Sequence, residues 1–271
     1  MASRLFEERE HAALYQKYRV PLPSQICNLV LNYLQRKKGK PFSLAVDIGC
    51  GSGQSTRGLA AYFEKVIGID ASGAQIEEAR KVGGPGNISF RQGLAEKLEF
   101  EDGSVDLIIA GAAVHWFDIE MFMKEVERVL KPKGCVALYC YRVPFELHYN
   151  DCSEHLTQIV HEMFKTLAPY ESEKSQIARN EYKEVFDAIM FPDKERVDNI
   201  PFEQHASISW IKGFFESLSY YQTFQKEDPK SAKASVERME QNFLQAMGVA
   251  SSETVLEIKW TAFCLLASKP E

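Results

Sequence analysis

Through the first half of the chain, short runs of β-branched and apolar residues alternate with amphipathic stretches. That alternation predicts a parallel sheet with helices on both faces, because parallel strands need crossover helices and bury both of their sides. The strand candidates are Leu44–Ile48, Val66–Asp70, Asn87–Arg91, Val105–Ala110 and Cys135–Tyr141, each bounded by glycine, asparagine, aspartate or proline. Between them the spacing predicts helices over Ser55–Phe63, Gly73–Lys81 and Ile119–Leu130. In the last, Phe122, Val126, Val129 and Leu130 recur at helical intervals, and Lys131-Pro132-Lys133-Gly134 stops it. A helix over Leu22–Arg36 precedes the first strand and aligns Ile26, Leu29, Val30 and Leu34 to pack on the sheet.

After Pro144 the alternation breaks. Helices are predicted over Cys152–Leu167, Ser175–Met190, Trp210–Tyr221 and Ser231–Met247, with a candidate strand at Phe202–Ser207. The β-branched and aromatic stretch Thr254–Ser268 reads as a strand or hairpin returning to the sheet. The helical block before it is most simply an insertion that caps one end of the sheet.

Composition narrows the function classes. The 271 residues are 45% apolar and carry 32 basic against 38 acidic side chains, a net charge of −6. This is material for a packed core, not for disorder, and its acidity argues against a nucleic-acid surface, which needs clustered cations. The one basic cluster, Arg36, Lys37, Lys38 and Lys40, reads as a solvated helix end or a docking patch. The amino-terminal MASRLFEEREH has no apolar stretch, and the longest apolar run, Leu107–Val114, is too short for a bilayer. Neither an export signal nor a membrane anchor is therefore expected. Six scattered cysteines, Cys27, Cys50, Cys135, Cys140, Cys152 and Cys264, form no Cys-x-x-Cys pair or zinc pattern. Reduced thiols, a cytoplasmic location and no metal are the expectation; the oligomeric state stays open.

The chemistry concentrates at Leu44-Ala45-Val46-Asp47-Ile48-Gly49-Cys50-Gly51-Ser52-Gly53, a glycine-rich turn between a strand and a helix. Open α/β sheets bind ligands at that edge, and glycines let a ligand approach the backbone. The dinucleotide fingerprint fails in both frames, since Thr56 or Gln54 stands where the third small residue belongs, so a pyrophosphate ligand such as NAD is disfavoured. Asp70, ending the second strand, can accept from both hydroxyls of a ribose or can cap the helix that follows.

Together, Val46–Gly53, Gly68-Ile69-Asp70, Gly93-Leu94-Ala95-Glu96, Val105–Ile108 and Leu130–Gly134 resemble the class I S-adenosylmethionine-dependent methyltransferases over about residues 40 to 141. Tyr15, Tyr18, Arg19 and Pro21, the run His115-Trp116-Phe117-Asp118, and the aromatic residues of 210–221 make the chain similar to the trans-aconitate methyltransferase-like branch. The resemblance implies a Rossmann-like α/β fold, with a seven-stranded mostly parallel sheet, helices on both faces and a helical cap insertion. Residues 1–40 would then form an amino-terminal cap and first helix, 41–143 the binding core, 144–253 a mostly helical substrate cap and 254–271 the closing strand. The implied cofactor is S-adenosyl-L-methionine, leaving as S-adenosyl-L-homocysteine. Asp47, Gly49, Cys50, Gly51 and Gly53 would surround its methionine part, Asp70 and Ala71 the ribose, and Ala95 and Glu96 the adenine edge. Many relatives carry an aspartate where this chain has Leu94, which leaves Glu96 or a backbone carbonyl to meet the adenine amino group. Glu96 is otherwise a surface carboxylate.

The implied reaction is in-line displacement at a methyl on positively charged sulfur, which asks the protein mainly to align and dehydrate the reactants. The expected acceptor is a small molecule, and an ionised carboxylate would need a cationic clamp instead of a base. The catalytic candidates are His115, Arg19 and Tyr18. Arg19 is such a clamp or a surface arginine lying over the cap. His115 orients or deprotonates an acceptor, or is a histidine hydrogen-bonded beside Trp116. Tyr15, Tyr18, Trp210, Tyr220 and Tyr221 form an aromatic wall or belong to the core. Two further readings are a lipid-like or quinone-like acceptor and a catalytically silent regulator that binds the cofactor.

Overall fold

The computed structural model describes residues 6–271; Met1 to Leu5 of the amino-terminal segment read above lie outside them. Five parallel strands form the centre: β1 (Leu44–Ile48), β2 (Lys65–Asp70), β3 (Ile88–Gln92), β4 (Val105–Gly111) and β5 (Leu130–Tyr141). The antiparallel strand β8 (Val255–Ser268) pairs along β5 through residues 262–268. Its remaining length on that side holds the short β6 (Glu146–His148), and its other side holds β7 (Asp193–Ser207). The sheet thus has eight strands, the expected seven plus β6.

The apolar runs become strands because both sheet faces are covered: Ala45, Val46, Leu107, Ile108 and Ile109 are all fully buried. On one face lies α2 (Ser24–Lys37), which buries Ile26, Val30, Tyr33 and Leu34. On the other, α5 (Ile119–Val129) buries Phe122, Val126 and Val129. The shorter α3 (Gln54–Leu59) and α4 (Gly73–Val82) follow β1 and β2. Asp106 ties β4 to the start of β1. One of its carboxylate oxygens accepts from Ser43 N–H, Leu44 N–H, Ser43 Oγ and Lys131 Nζ at 2.7 to 2.9 Å.

The second half departs from the sequence pattern in three places. The helix expected over Ser175–Met190 is two, α7 (Glu173–Arg179) and α8 (Lys183–Ala188), separated by the left-handed residues Glu181 and Tyr182. The helix expected over Trp210–Tyr221 breaks at Ser217 into α9 (Ile208–Glu216) and α10 (Ser219–Glu227). The candidate strand Phe202–Ser207 is only the end of β7, whose first half, Asp193–Asn199, is charged. That half sits at the sheet edge, where ion pairs such as Arg196 with Asp198 replace the alternation a reader of sequence looks for. Two further helices, α6 (Ser153–Leu167) and α11 (Pro229–Met247), pack together where helices were expected. The amino-terminal segment, read only as aromatic-rich, contains α1 (Arg9–Tyr18), which crosses to α9 and α4. Among the described residues no helix is long and apolar enough to cross a membrane, and all six thiols are free.

Candidate active site

The site grows from the turn after β1. Gly49 has φ +67°, and a Cβ there would stand 2.5 Å from the Ala113 Cβ, so no other residue fits. The freed backbone folds tightly: the N–H groups of Gly49 and Cys50 both donate to the Ile69 carbonyl, at 2.8 and 3.0 Å. Gly53, at φ +88°, opens α3, and a side chain there would strike the Phe90 ring. It serves packing behind the turn, and it lies outside the cavity that the turn borders.

That cavity, of about 200 Å³, is bordered by Gly49, Gly51, Asp70, Ala71, Ala95 and Glu96, together with Phe6, Tyr15, Gln75 and Trp116. The Asp70 carboxylate holds the turn in shape: Oδ2 accepts from Gly51 N–H and Oδ1 from Ser72 N–H, both at 2.8 Å. Capping of α4 falls to Ser72, whose hydroxyl accepts from Gln75 N–H. The capping alternative for Asp70 is thereby removed, and burial raises its pKa from the ordinary aspartate value. Glu96 is half-buried and accepts from Asp118 N–H at 2.8 Å, fixing the entry to α5.

Asp47 lies beneath the turn, 1% exposed, and lines none of the four cavities around the turn and the neighbouring sheet edge among the described residues. Its Oδ2 accepts from Thr56 Oγ1 at 2.6 Å, and its Oδ1 has no partner among the described residues. Burial pushes its pKa up to about 7. Thr56, which breaks the dinucleotide pattern, is here the anchor of that carboxyl.

A second cavity of about 250 Å³ shares Phe6, Tyr15, Ala112 and Trp116 with the first. Arg19 enters it from the end of α1. Its guanidinium donates to Tyr141 OH and to the Ser217 carbonyl, both at 3.0 Å, and stands 4.5 Å from the Tyr15 ring centre. Its Nε–H is buried without a partner, and among the described residues no carboxylate pairs with it. The other cations on this cavity are neutralised, Arg142 by Glu181 and Arg179 by Glu171. One uncompensated positive charge therefore faces the space. Burial pulls the guanidinium toward neutrality, but the phenol oxygens of Tyr141 and Tyr15 outweigh it.

His115 borders the same cavity, with Nδ1 2.9 Å from Tyr182 OH. Burial, helped by Arg19 and Lys174, lowers its pKa from the ordinary 6.5 to about 3. The imidazole is thus neutral and a weak base at neutral pH. The shift also fixes a pH dependence. The unfolded histidine takes up a proton near pH 6.5 that the folded one refuses, so the stabilisation is present above pH 6.5 and drains away toward pH 3. At pH 5 that loss is about 2 kcal/mol. Urea unfolding at pH 7 and pH 5 should show a fall in stability smaller by that amount in His115→Gln than in the parent; equal falls would count against the shift.

Residues 46–138 match the methyltransferase domain family. A Dictyostelium discoideum protein that carries the name methyltransferase is 29% identical over 259 residues, covering 94% of this chain and 92% of its own. The chain is a methyltransferase. A Saccharomyces cerevisiae protein whose name is that of an S-adenosylmethionine-dependent methyltransferase is 25% identical, covering 96% of each. The solved structure of an Anaeromyxobacter dehalogenans protein, described as a type II methyltransferase, has the same fold, with a TM-score of 0.73 at 22% identity over 93% of this chain and 100% of its own.

In the methyltransferase, then, Gly49, Gly51, Asp70, Ala71, Ala95 and Glu96 converge on one cavity, and Arg19 and His115 on the next. Cys50 faces a third, small space near Arg19. Tyr18, expected beside Arg19, is elsewhere: its ring fills the slot left by the missing side chain of Gly213. Of the aromatic wall, Tyr15 and Tyr220 border the cavities, whereas Trp210 stacks on Phe214 and Tyr221 is core. Sequence reasoning missed Phe6, Gln75, Tyr141 and the Ser217 carbonyl. The last also receives His11, and its partners lie 198 and 206 residues away, beyond any local pattern.

Proposed function

We propose that this methyltransferase moves the methyl group of S-adenosylmethionine to a small acceptor bearing a carboxylate, seated in the second cavity, as in the trans-aconitate methyltransferase-like branch. The cofactor is S-adenosylmethionine, and the residues of the first cavity fit it. Each oxygen of Asp70 is committed to a single backbone N–H and keeps a lone pair for a ribose hydroxyl, while the bare Gly49–Gly51 backbone leaves room for the chain that follows. When bound, it supplies a methyl on cationic sulfur, ready to leave. The observation that carries the acceptor class is the single unpaired guanidinium of Arg19.

The chain's own work is alignment. Arg19 holds the acceptor's anion, with the free Nε–H available to it. Tyr15, Phe6 and Trp116, which border both cavities, exclude water at their junction. A carboxylate is ionised well below neutral pH, so no base is required, in keeping with a neutral His115. Residues 144–253 act as the substrate cap, contributing Glu171, Arg179, Glu181 and Tyr220. This charged lining speaks against a lipid-like or quinone-like acceptor. Labelled methyl transfer to a panel of small acids, matched against their amides and alcohols, tests the class. Base-labile methyl esters of the acids are expected; equal labelling of the amides or alcohols would overturn it.

A further inference from the structure

Gln75 stands in the first turn of α4, 2% exposed, and is one of the residues that line the first cavity. Both of its polar atoms, Nε2 and Oε1, are buried and have no partner among the described residues. An amide in that state is costly, since each unmet donor or acceptor loses its water and gains nothing in return. An apolar side chain of the same length, such as methionine, would fill this place without that cost. The placement is specific: Oε1 lies 3.8 Å from where a Cβ on Gly51 would be, beside the peptide N–H that Asp70 receives. Gln75 and Asp70 therefore flank one corner of the cavity, the acid offering only acceptors and the amide offering both a donor and an acceptor.

We infer that Gln75 is a specificity-determining residue that pairs with one hydroxyl of the cofactor's ribose, alongside Asp70, and so discriminates an intact sugar from a deoxy one. This rests on the assignment of the first cavity to S-adenosylmethionine. A hydroxyl can donate to Oε1 or accept from Nε2, so either orientation of the amide is satisfied by the same group. The free protein carries the unmet amide, and the bound sugar relieves it.

Titration calorimetry with S-adenosylhomocysteine and with its 2′-deoxy and 3′-deoxy analogues tests the inference on the parent and on Gln75→Met. Binding of S-adenosylhomocysteine by the parent is the check on the underlying assignment; no binding there removes that assignment and this inference together. Given parent binding, Gln75→Met should weaken S-adenosylhomocysteine about tenfold, in line with one buried hydrogen bond, and should leave one deoxy analogue unaffected. Its melting temperature without ligand should equal or exceed the parent's, because a buried unmet amide has gone. An unchanged affinity, or an equal loss for all three ligands, overturns the inference while leaving the cofactor assignment in place. A melt well below the parent's would show that Gln75 holds the fold, and would overturn it too.

Discussion

Asp70→Ala is expected to lower the affinity for S-adenosylhomocysteine about a hundredfold, the equivalent of about 3 kcal/mol, as two charge-assisted hydrogen bonds are lost. The loss has two sources. The carboxylate is the group offered to the ribose, and the same oxygens tie down Gly51 and Ser72, so the turn loosens as the ligand loses its partner. Asp70→Asn, which keeps one acceptor oxygen, should fall between the two. Calorimetry measures the affinity, and a far-ultraviolet melt shows that the sheet, which does not depend on these bonds, survives. Unchanged affinity in the alanine variant would remove Asp70 from the site.

The second large effect is on the acceptor side. Arg19→Met keeps an aliphatic side chain of similar length against the Tyr15 ring while deleting the charge. It should reduce kcat/KM for a carboxylate acceptor about a hundredfold, the scale of a lost charge-assisted pair, with the affinity for S-adenosylhomocysteine within about twofold of the parent. The separation follows from geometry, because Arg19 borders the second cavity and not the first. Equal losses for both ligands would place the guanidinium on the cofactor instead.

Much of this fold was legible because parallel strands bury both faces and so announce themselves as apolar runs; β1, β2 and β4 emerge within a residue of their expected bounds. The glycine turn was legible for a similar reason, as positive φ at Gly49 admits little else. What stayed hidden depends on distance. The breaks at Glu181-Tyr182 and at Ser217 follow no local rule; they exist because Tyr182 reaches His115 and because the Ser217 carbonyl receives Arg19 and His11. Tyr18 and Tyr15 share a helix and a residue type, and only the empty slot at Gly213 separates core from cavity. Gln75 gives no signal at all in the sequence, since burial without a partner has no signature there.

A crystal structure with S-adenosylhomocysteine tests the central claim most directly. The adenosine should lie in the first cavity with its ribose on Asp70, and the sulfur should point past Tyr15 and Trp116 toward Arg19. Adenosine seated in the second cavity, or a first cavity that stays empty beside saturating ligand, would contradict it.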